Sequence, residues 1–114
     1  MIINSDVKEK VLILTLDNNK RKEVQIANLK STMNDSDFAY VLVRNGSNED
    51  VRVINEDGKI VSCLDNTETF YIMYLINHPI FGVCIACSEQ IENRWEDSYY
   101  QFKNGAFIKV SRSR

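Results

Sequence analysis

Cys84-Ile85-Ala86-Cys87 is the pattern in this sequence with the strongest claim on chemistry. With His78 upstream and Cys63 further back, it supplies the four ligands of a tetrahedral zinc site. The spacing between the ligand pairs is not a standard one, and the two cysteines sit in an apolar, strand-like run rather than on a turn. In a strand, residues three apart point to opposite faces, so the two sulfurs do not converge on one ion. Free cysteine packs readily as a small hydrophobe, and that is the reading adopted: no metal and no cofactor. A thioredoxin-like redox role lacks the βαβ context it requires.

A nucleophilic centre needs a cysteine or serine beside a base, and His78 is the one histidine in the chain. Cys63 or Cys84 would be the nucleophile, with Asp65 orienting the ring. Asn77 and Pro79 place His78 in a turn, where a polar imidazole needs no catalytic explanation. Only four glycines are present, in no phosphate-binding arrangement. The adjacent acids Glu49-Asp50, Glu56-Asp57 and Glu96-Asp97 fall in polar segments and read as solvated surface. The chain is therefore expected not to be an enzyme. A small-molecule or catalytic pocket near His78 and Cys84 stands as the alternative.

Recognition surfaces come next. Lys103, Lys109, Arg112 and Arg114, with Tyr99, Tyr100, Phe102 and Phe107, resemble a stacking surface for single-stranded nucleic acid. A second basic cluster is Lys20-Arg21-Lys22. The net charge of −2 weighs against a nucleic-acid partner. The segment holding Glu92, Arg94, Trp95, Glu96, Asp97, Tyr99 and Tyr100 combines the residue types that dominate protein–protein hot spots with an acidic flank. The primary expectation is a small protein-binding protein, an inhibitor or immunity protein (an antitoxin in the broad sense). It would occlude another protein, such as a basic toxin or nuclease, with its negative charge steering encounter.

These side chains must be positioned by one domain spanning residues 1–114, since 114 residues leave room for little more. Hydrophobic content of 44% with 26% charged residues is ordinary for a globular chain. Three cysteines, an odd number, and a start without a basic, apolar leader point to the cytoplasm and to no membrane partner.

The most apolar stretch is Phe70 to Cys87, broken at Asn77-His78-Pro79. Asp65 and Glu68 are spaced as a capping pair and Pro79 disfavours helix at His78, so residues 66–77 are predicted to be a short buried helix, with a strand, which their β-branched and aromatic content suits, as the alternative. Val83–Ser88 reads as a central strand. Earlier, Val11–Leu16 and Phe38–Arg44 read as strands, while residues 22–33 fit helix or strand equally. Asp57-Gly58 predicts a hairpin setting Ile54 opposite Val61 and Val51 opposite Leu64. Asn104-Gly105 predicts another, with Phe102 opposite Phe107, Tyr100 opposite Lys109 and Tyr99 opposite Val110. Residues 89–97 read as a loop or a helical turn or two, and no internal repeat is visible. The expected core includes Leu12, Leu14, Val41, Val53, Ile72, Leu75, Val83 and Ile85. The fold class expected is α+β: a mostly antiparallel sheet of about six to eight strands, with several hairpins and one or two short helices, or alternatively a β-sandwich.

Overall fold

The computed structural model describes residues 1–112, with the backbone alone at Arg112. Eleven strands run along the chain: β1 (Ile2–Lys8), β2 (Val11–Leu16), β3 (Arg21–Gln25), β4 (Leu29–Asn34), β5 (Ala39–Asn45), β6 (Asn48–Ile54), β7 (Ile60–Asp65), β8 (Phe70–His78), β9 (Gly82–Ile91), β10 (Arg94–Lys103) and β11 (Ala106–Arg112). They form three antiparallel meanders, in the orders β1-β2-β3, β4-β5-β6-β7 and β8-β9-β10-β11. Among the described residues there is no helix. The α+β expectation, with its one or two short helices and about six to eight strands, is therefore wrong; the antiparallel hairpins are present, but in three stacked sheets, one more than the alternative β-sandwich has.

The middle sheet explains the layering. All five residues from Ala39 to Val43 are buried, because alternate side chains enter different cores. Ala39, Val41 and Val43 meet Ile2, Leu12, Leu14 and Ile26 of the first layer. Tyr40 and Leu42, with Val51 and Val53, meet Ile72, Leu75, Ile85 and Cys87 of the third. Seven of the eight expected core residues are buried, and Val83 is half-buried against the second core. The layers approach most closely along β1, β4 and β8. There Ser5 Oγ donates to Asn34 Oδ1 at 3.0 Å and Thr32 Oγ1 donates to Ser5 Oγ at 3.2 Å.

Residues 66–77, predicted helical, instead contain a short turn and most of β8. Thr67 and Phe70 close the turn, where the Thr67 amide donates to the Phe70 carbonyl at 2.8 Å. The Asp65 carboxylate caps nothing, since Asp65 ends β7. The ambiguous stretch 22–33 covers most of β3 and most of β4, joined by a turn at Asn28 (φ 62°). Residues 89–97 are strand, turn and strand, with Glu92 (φ 50°) and Asn93 (φ 68°) both left-handed, as a two-residue type I′ loop requires. Asn104 (φ 54°) and Gly105 (φ 80°) do the same at the last hairpin.

Two expected registers shift by a bulge. Ile54 pairs with Ile60 rather than Val61, although Val51 does face Leu64. At that turn only Gly58 is left-handed, with φ 81°, so the loop is a longer one closed by an extra residue. Phe102 faces Phe107 and Tyr100 faces Lys109, but a bulge moves Tyr99 from Val110 to Ser111. The meander also repeats in topology from sheet to sheet, a regularity that the sequence does not display.

Candidate interaction surface

The third sheet has one face on the core and one on solvent, and the alternation of its strands decides what each presents. On β9, Ile85 and Cys87 point to the core, so Cys84, Ala86 and Ser88 point outward. Their cross-strand partners share that face. Ser88 lies between Tyr71 and Asp97, Ala86 between Tyr74 and Tyr99, and Cys84 beside Ile76. Trp95 lies opposite Gln90, and Gln101 opposite Ile108. The outward face is thus paved with Tyr71, Tyr74, Trp95, Tyr99, Ile76 and Ile108.

Exposure shows how that paving is built. Tyr71, Tyr74 and Trp95 are 46%, 47% and 46% exposed, while Cys84 and Ala86 between the rows are 0% exposed. The large side chains therefore roof the small ones on the central strand. Tyr71 and Trp95 pack ring to ring at 5.2 Å with a 32° tilt, and Tyr99 meets His78 at 5.3 Å, edge to face. Such ring pairs fix orientation and add about 0.5–1.5 kcal/mol beyond area burial. Glu68, Glu92 and Asp97 are exposed at the Tyr71–Trp95 end.

The residues singled out from sequence divide between the two faces of β10. Trp95, Asp97 and Tyr99 point outward, and Glu92 lies in the tight turn before them. Arg94 starts the strand with its side chain 72% exposed, 3.3 Å from Glu96. Glu96 and Tyr100 alternate to the inner side: the Glu96 side chain is only 16% exposed, and Tyr100 joins the core. Tyr100 donates to Glu89 at 2.8 Å and packs edge-on against Phe70 at 5.3 Å. Tyr71, Tyr74 and Ile76 were missed, because reading 66–77 as a buried helix conceals a strand's alternation; Ile108 was missed although its hairpin was expected.

The aromatic-basic grouping expected for nucleic acid is dispersed. Phe102 and Phe107 pack into the second core with Tyr100, while Tyr99 faces the other way. Lys109 Nζ is held by Glu89 at 2.8 Å. Arg114 and the Arg112 side chain lie outside the described residues, and Lys20, Arg21 and Lys22 sit at the β2–β3 turn.

The candidate pocket around His78 is likewise tied up locally. His78 Nδ1 accepts the amides of Ile80 at 3.1 Å and Phe81 at 3.3 Å, closing the β8–β9 turn. Burial raises the pKa of the Cys84 thiol, which has no exposure to solvent. Burial also pushes the Cys87 thiol up to about 12, with the Glu89 carboxylate adding to it. Cys84 and Cys87 take opposite faces of β9, and Cys63 and Asp65 belong to β7 of another sheet.

Cys63 does belong to a group of possible metal ligands, with Asp50 and Asp65. The thiol donates to Asp65 at 3.4 Å and to Asp50 at 3.8 Å, while Arg52 Nε already neutralises Asp50 at 3.0 Å. Partial burial and the two carboxylates push the thiol up to about 12. Cys63 should therefore alkylate with iodoacetamide at pH 8 at least roughly tenfold more slowly than free cysteine, and Asp65→Asn should speed it. Reaction at the free-cysteine rate in the native chain would contradict that arrangement.

No helix of the described residues is long and apolar enough to cross a membrane. No protein-family model, curated protein or solved structure matches this chain.

Proposed function

We propose that this chain is a protein-binding module whose working surface is the outer face of the β8–β11 sheet. One observation carries the reading: three aromatic rings nearly half exposed on a single rigid sheet face, roofing two fully buried small residues. Aromatic rings held in place bury large areas at little cost in conformational entropy, and they dominate binding hot spots. The contrast with the opposite end of the stack strengthens it. The outward positions of the first sheet place Asp6 and Glu23 around Ile13, Lys8 and Gln25 around Val11, and Asn4 and Arg21 around Thr15. That face is built for water.

An inhibitor or immunity protein covering a basic toxin or nuclease is the form of this reading in which Glu68, Glu92 and Asp97 would accelerate encounter. The surface extends well beyond the segment 92–100, and Glu96 and Tyr100 serve it from beneath. A photo-crosslinking benzophenone side chain placed at Tyr74, and separately at Glu23, tests the face. Adducts with protein are expected from position 74 in an extract of the native host, and few or none from position 23. Equal adducts from both positions, or none from 74, would overturn the assignment.

A further inference from the structure

We infer that the outer face of the β8–β11 sheet is closed by a second copy of this chain, in an isologous sheet-on-sheet dimer. The inference rests on the protein-binding reading above and names the partner. Both interior contacts of the molecule are already sheets stacked face to face, and the outer face of the third sheet carries aromatic and aliphatic side chains of the kinds found in the second core, with Ser88, Gln90, Asp97, Gln101 and Lys103 among them.

Charge points to a like partner. Among the outward positions of β8, β9 and β10, Asp97 and Lys103 are the two charged residues, one of each sign. Two copies of this face therefore meet with little like-charge repulsion. A head-to-tail stack would instead press the paving onto Asp6, Lys8, Arg21 and Glu23 of the first sheet, burying charges without partners. Only the face-to-face arrangement avoids that, and a self-complementary contact closes as a twofold dimer rather than a filament.

Area is sufficient. Four strands about 4.8 Å apart and about ten residues long give a face of roughly 19 by 30 Å. The two copies would then bury on the order of 1,200 Å², the lower bound of a specific interface, before the relief of the rings is counted. Any other partner on this face would have to displace the second copy.

Sedimentation equilibrium of the purified full chain over a concentration series reads the result. A mass of twice 13.2 kDa is expected. Tyr74→Lys should raise the dimer dissociation constant at least roughly tenfold, because the twofold axis duplicates the new charge in one interface. Ile108→Lys, at a 43% exposed position, provides the same test should Tyr74→Lys lose its far-ultraviolet circular dichroism. Glu23→Ala, on the opposite face, should leave the constant unchanged. A monomer at every concentration, or a filament, overturns the second-copy assignment. In either case the crosslinking from position 74 separately decides whether the face binds a different protein. Weakening by Glu23→Ala equal to that of Tyr74→Lys would also overturn it.

Discussion

Leu14→Ala is expected to destabilise the protein by about 3 kcal/mol, with Ile13→Ala costing no more than about half as much. The two residues are adjacent on β2 and both are buried, at 0% and 8% exposure. Their surroundings differ. Leu14 lies between the first and middle sheets, in the core that holds Val41, Val43 and Ile54. Its truncation leaves a void that two sheets cannot both collapse to fill. Ile13 faces the other way, covered by its neighbours Asp6 and Glu23 across the strands, and those flexible side chains and water can occupy the space it leaves. For a chain of this size the larger loss should lower the melting temperature by about 10 °C or more. Equal losses at the two positions would mean that the first sheet is not stacked on the middle one as described.

That contrast between neighbours also marks where the sequence was readable. β2 was found at its observed bounds, because Val11–Leu16 is a short apolar run ended by Asp17-Asn18-Asn19, which needs no tertiary information to stop it. The last hairpin was legible for a similar reason: Asn104-Gly105 tolerates the two left-handed residues, and everything near that turn follows from pairing outward. The helix expected over 66–77 failed because an apolar run carries no period when the solvent face of a strand is itself paved with aromatic and aliphatic residues. Ile72 and Leu75 enter the core while Tyr74 and Ile76 pave the outside, and a bulge between Ile72 and Tyr74 breaks the alternation that would have revealed it.

The candidate surface was half legible for a related reason. Glu92 to Tyr100 was read as one continuous patch. A strand presents only every second residue, so Trp95, Asp97 and Tyr99 separate from Glu96 and Tyr100. The rest of the surface lies on β11, just across the last hairpin, and on β8, distant in sequence and brought alongside through β9. The Glu92-Asn93 turn lacks the glycine that marks such loops, which left the β9–β10 pairing hidden as well.

Beneath the paving, Glu89→Ala is expected to cost about 3 kcal/mol, comparable to emptying the core at Leu14. One Glu89 oxygen accepts Ser98 Oγ at 2.9 Å and Lys109 Nζ at 2.8 Å, and the other accepts the Tyr100 hydroxyl at 2.8 Å. The Glu89 side chain is only 15% exposed, and Ser98 is fully buried. Removing the carboxylate strands the Ser98 and Tyr100 hydroxyls, Ser98 where water does not reach it, and leaves the Lys109 ammonium without its partner, so that the hydrogen bonds joining β9, β10 and β11 on the core side are lost together. The pH dependence follows from the same contacts. Burial alone would raise the Glu89 pKa, but Lys109, Tyr100 and Ser98 together hold it below the ordinary carboxylate value. Its folded pKa thus lies below its unfolded one, near 4.3. The stabilisation is complete above the unfolded value and disappears as pH falls through the folded one. Urea unfolding of the wild type should therefore weaken more steeply below about pH 4.5 than that of Glu89→Gln, which cannot take up the proton. Parallel pH profiles for the two proteins would show that Glu89 is not held ionised by this network.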